Sequence, residues 1–159
     1  MYKVISVTLA DGKPGELQLL ANASTAIRYK QIFGKDVMKA MGSLIDTLGA
    51  DNLKTLAAHQ DKEYTVDNMP PELVDALSSI ISSGTLDMMT ELAYVMNRQA
   101  QAKTAGVVHM MSVDDFVDWL DLYDSTTFLS NALLIWSVYM NNKLGDSAPK
   151  KPDAQLNGK

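Results

Sequence analysis

Five aspartates crowd one short stretch of this chain: Asp114, Asp115, Asp118, Asp121 and Asp124. Taken as one helical segment, the i, i+4, i+7 spacing puts Asp114, Asp118 and Asp121 on one face. Carboxylates placed this way invite three chemistries. An acid–base or glycosidic pair needs environments that push the two pKa values apart, which a regular solvated stripe does not supply. Calcium binding needs ligands on a flexible loop with a glycine turn, and no such loop is here. What stands is either a plain solvent face or an acidic docking stripe beside Trp119. Such charge would speed encounter with a basic partner and set specificity more than it adds affinity.

Other reactive patterns are thin. The two histidines, His59 and His109, fall in expected connections, and neither has a His, Asp or Glu at metal-like helical spacing. Gly12-Lys13 and Gly34-Lys35 lack the upstream glycine of a phosphate loop, and neither lysine is followed by Ser or Thr. There is no GxSxG elbow. The absence of cysteine removes disulfides, thiolate zinc sites and thiol catalysis together. The expectation is a protein that is not an enzyme and carries no metal or cofactor.

Composition narrows the partners. Of 159 residues, 47% are apolar, enough for a proper core in one domain of ordinary size. The formal net charge is −5, and no cluster of Lys and Arg suits a nucleic-acid phosphate backbone. No apolar run approaches the roughly 20 residues of a membrane helix, and residues 1–9 lack the pattern of a signal peptide. A soluble intracellular protein is expected. The ten methionines either fill the core or line an adaptable groove for a partner helix. Met89 and Met96 are the candidates for the groove.

The elements that must position these residues follow from periodicity. Residues 2–9 read as a strand with Ile5, Val7 and Leu9 on one face. Asp11-Gly12 and Pro14-Gly15 mark a turn, and residues 16–20 return as a second strand. The exposed edge of such a hairpin is one route to self-association. A helix then runs from a cap at Asn22 or Ser24 to a stop at Gly34, with Ala26, Ile27, Tyr29, Ile32 and Phe33 as its apolar face. Val37, Met41, Leu44, Ile45 and Leu48 give a second helix stopped by Gly49, and residues 51–58 a short third. Residues 61–69 read as a connection. Pro70-Pro71 starts a helix with a stripe of Leu73, Leu77, Ile80 and Ile81, and Ser82-Ser83-Gly84 breaks it. Residues 86–103 form the longest candidate, with Leu86, Met89, Leu92, Ala93, Met96 and Ala100 on one side. After a loop at 104–111, Ser112 caps a helix that buries Phe116, Trp119, Leu120 and Tyr123, with Asp115 as an aspartate variant of the capping box. A last helix covers about residues 126–143. Residues 145–159 are expected to be a disordered tail. The fold class is therefore mainly α (α+β): an N-terminal β-hairpin, a helical bundle over 1–144, and the tail.

The run ANASTAIRYKQIFGKD at residues 21–36, following a strand, with LAYVM at 92–96 and FVDWL at 116–120, resembles the tail assembly chaperones of long-tailed bacteriophages. The resemblance covers most of residues 1–141, and none of its motifs is catalytic. Residues 49–69 fit no pattern of that family. It implies a protein of the host cell cytoplasm that binds the helical tape measure protein, keeps it soluble while tail tube subunits polymerise, and is missing from the mature virion. Many members are also made as a longer frameshifted product, and Pro149-Lys150-Lys151 is compatible with an A-rich slippery stretch. The candidate partner-binding residues are Asp114, Asp118, Trp119, Asp121, Met89 and Met96. Three rivals remain: a structural tail completion or connector component retained in the virion, a small regulator of host proteins, and an unrecognised enzyme.

Overall fold

The computed structural model describes residues 1–59, 66–82, 84–106, 108, 110–124 and 126–145. Two antiparallel strands, β1 (Tyr2–Thr8) and β2 (Pro14–Leu20), pair in the register Tyr2↔Leu20 to Thr8↔Pro14. Alternation puts Ile5, Val7, Leu17 and Leu19 on the buried face. The reversal spans residues 9–13, where Gly12 takes a left-handed φ of 79° and Asp11 Oδ1 accepts the Lys13 N–H. Pro14 and Gly15 therefore belong to β2 rather than to the turn. A Cβ on Gly15 would meet Leu9 Cδ2 at 2.9 Å, so glycine lets Leu9 lie across the second strand.

Seven helices follow among the described residues: α1 (Thr25–Phe33), α2 (Val37–His59), α3 (Pro71–Ser82), α4 (Thr85–Thr104), α5 (Val113–Leu120), α6 (Thr127–Ser130) and α7 (Ala132–Gly145). A single 3-10 turn, Val66–Asn68, precedes α3. The mainly α class with an N-terminal hairpin is as expected. Gly34 ends α1 in the left-handed region at φ 67°. Gly49, φ 72°, kinks α2 into the two segments its sequence suggests. His59 closes the second of these and does not lie in a connection. The expected last helix is two, because Asn131 breaks it and donates from Nδ2 to Ser6 O and Thr127 O. His109, most of the expected connection at 61–69 and the tail after Gly145 lie outside the described residues.

The centre of the molecule is α4. Every residue from Met88 to Ala100 is buried, on all sides of the helix. The hairpin, α1, α3, α5, α6 and α7 all pack on it. The spacing of Met89, Leu92, Met96 and Ala100 describes only one of its buried faces. Two other expected apolar positions lie at the surface: Ile27 on α1 and Ile81 on α3 are about half exposed.

Candidate functional site

A helix buried all round is normally apolar all round, yet α4 carries Thr90, Glu91, Asn97, Arg98 and Gln99 inside the fold. Each must be hydrogen-bonded to be tolerated there, and each is. Arg98 donates from Nε and Nη2 to both oxygens of Asp115, at 2.9 and 2.8 Å, and from Nη1 to Gln101 Oε1. Asn97 accepts the Trp119 indole N–H at 3.0 Å and donates to Gln18 O of β2. Gln99 accepts from Thr25 Oγ1 and donates to Asn22 Oδ1 and Ser24 Oγ. Asn22 and Ser24 thus clasp α4. Ser24 sits at the start of α1 without a side-chain capping bond, so the expected cap there is replaced by this tertiary contact.

The aspartate run divides along the same line. α5 stops at Leu120, so the five carboxylates do not share one helix: Asp121 is the residue after its end, and Asp124 lies in the turn before α6. Ser112 caps α5 as expected, accepting the Asp115 N–H at 3.0 Å. The Asp115 carboxylate does not complete the box. It holds Arg98 and accepts the Tyr94 hydroxyl at 2.6 Å, while Tyr94 Oη takes the Ser112 N–H. Asp114, Asp118 and Asp121 are exposed. Trp119, Met89 and Met96 are 1%, 1% and 0% exposed. These three are core side chains, so the proposed contact of Trp119 and the two methionines with a partner does not exist at this surface. Of the methionines, Met38 and Met110 are the ones exposed within the fold, well away from α4 in sequence.

A chain of rings links α1, α4 and α5. Phe33 meets Phe116 at 5.3 Å between centroids, Tyr94 meets Phe116 at 5.4 Å and Trp119 at 5.5 Å, and Trp119 meets Phe128 of α6 at 5.3 Å. The three motifs at 21–36, 92–96 and 116–120 therefore meet in space around one aromatic cluster.

Beside that cluster, a partly open cleft of about 580 Å³ runs between α4 and α5. Its apolar floor is Leu86, Phe116, Leu120, Tyr123 and Phe128. Its polar positions are Asp87, Thr90 and Glu91 on α4 and Asp121 at the end of α5. Glu91 is already engaged, accepting Tyr29 Oη and Lys35 Nζ, each at 2.6 Å. Burial, then the hydrogen bond to Glu91, pushes the Tyr29 phenol well above its usual range and keeps it neutral. Burial likewise raises Tyr94 to about 12, with the Asp115 hydrogen bond adding to it. Sequence periodicity missed this cleft because its walls come from two helices separated by a loop. Only Asp121 of the candidate residues borders it.

No histidine lines the cleft, and no group of three or more His, Asp or Glu suited to a metal occurs among the described residues. No helix among them is long and apolar enough to cross a membrane. The edge of β1 is closed over its second half, where Thr8 bonds Thr127 and Asp124 and Ser6 O accepts from Asn131. Tyr2 and Val4 stay exposed at its first half. Comparison of the chain with protein-family models, with curated proteins and with solved structures found no match.

Proposed function

We propose that this chain is a non-enzymatic tail assembly chaperone that binds the tape measure protein of a long-tailed bacteriophage and keeps it soluble. The observation that carries the reading is the cleft between α4 and α5, with its apolar floor and partly open mouth. That shape suits the apolar face of a helix laid into a groove. It is supported by the meeting of the three chaperone-like motifs beside it. Capture needs no nucleotide. Release follows by competition, as tail tube subunits bind the tape measure protein and displace the chaperone.

The test is co-expression with the tape measure protein of the same genome. The expected result is a soluble tape measure protein that co-purifies with this chain, and purified virions that lack the chain. An insoluble tape measure protein, together with the chain found in virions, would replace the reading with a structural tail component.

A further inference from the structure

The cleft has an uneven charge balance. Glu91 is compensated by Lys35, and Asp115 by Arg98. Asp87, Asp114, Asp118 and Asp121 have no ion-pair or hydrogen-bond partner among the described residues. Asp87 stands on one wall of the cleft and Asp121 on the other, and both are exposed. Asp118 and Asp114 continue the negative charge along the outer face of α5.

The position of two of these charges is costly to the fold. Asp118 and Asp121 sit at the C-terminal end of α5, and its last turn holds no basic residue. The dipole of a helix favours cations there and disfavours anions. Asp87 in the first turn of α4 obeys the same rule that Asp118 and Asp121 break. Charges that break a local rule with no compensation inside the fold mark function. Here the missing compensation is a cation from outside.

We infer that the α4–α5 cleft selects its occupant by charge: it takes an amphipathic helix whose apolar face is flanked on both sides by Lys or Arg. The apolar face covers Leu86, Phe116, Leu120 and Tyr123, and the flanking cations meet Asp87 on one side and Asp121 and Asp118 on the other. The inference rests on the chaperone reading only for the source of that helix, which is then a basic amphipathic segment of the tape measure protein.

Two synthetic helical peptides test it, with the same Leu/Met face and either Lys or Glu on its flanks. Each is titrated into the full chain and followed by NMR. The Lys-flanked peptide should shift Leu86, Phe116, Leu120 and Tyr123 and bind roughly tenfold tighter than its Glu-flanked twin in low salt. The preference should fade as salt screens it. In Asp87→Lys/Asp121→Lys, shown folded by circular dichroism, it should disappear. Equal affinities, binding of neither peptide, or shifts confined to surfaces outside the cleft would overturn the inference. The two proposals fail separately. If the tape measure protein still co-purifies with the double variant as it does with the native chain, the cleft inference falls and the chaperone reading stands. If the peptides follow the charge rule while the tape measure protein stays insoluble, only the chaperone reading falls.

Discussion

The two ends of α4 carry polar side chains for opposite reasons. Toward its C-terminus, Asn97, Arg98 and Gln99 are buried, and each is tied to a different neighbour: Trp119 of α5, Asp115 of α5, and the Asn22–Thr25 run before α1. Toward its N-terminus, Asp87 faces a cleft with no partner, and Glu91 alone is compensated. The first arrangement fixes how the elements dock, because a buried polar group without its partner is costly. The second leaves charge available to something outside. Chemically similar residues on one helix thus divide into architecture and surface, and satisfaction of their hydrogen bonds is what separates them.

The strongest way to break the comparison is to attack the paired end. Arg98→Ala strands the Asp115 carboxylate, which is partly buried beside Tyr94. It should cost about 3 kcal/mol in urea unfolding. A loss under about 1 kcal/mol would mean that the pair is solvated and the division is not real. Trp119→Phe removes the indole N–H from Asn97 Oδ1 and should cost about 2 kcal/mol. Adding Asn97→Leu should recover part of that loss, which a double-mutant cycle would read.

Alkaline pH sharpens the same point. The folded-state pKa of Tyr94 is raised to about 12 from an unfolded value near 10. Between these values the unfolded chain gives up the proton and the folded chain keeps it. The contribution is therefore complete below about pH 10 and is lost as pH rises toward 12. Melting temperature should fall over that window, and Tyr94→Phe should flatten the fall. Tyr29 is raised as well, so some slope should persist in the variant.

At the cleft end the smallest stability effect is expected. Asp87→Lys/Asp121→Lys should leave urea unfolding unchanged, since both residues are exposed and unpaired among the described residues. A clear destabilisation would show that these carboxylates belong to the architecture after all.

Much of the fold is legible in the sequence. The hairpin follows from alternation, the end of α1 from Gly34, the kink of α2 from Gly49, and the start of α5 from Ser112. The site is less so. Periodicity finds a face to bury but does not tell a helix buried on one side from one buried on all sides. Met89 and Met96 therefore read as groove candidates although α4 is wrapped throughout. Spacing alone also grouped Asp115 with Asp114 and Asp118. It takes the approach of Arg98, 17 residues earlier, to turn one of them inward. The cleft needs the docking of α5 on α4, which is a tertiary fact.

The most direct test of the division is hydrogen–deuterium exchange on this chain, alone and in complex with the tape measure protein co-expressed with it. The account predicts added protection over residues 85–92 and 113–123, the two walls of the cleft, with little change at Asn97–Gln101, which is already closed. No complex, or protection gained at the Tyr2–Val4 edge or around Met110 while the cleft stays unchanged, would contradict it.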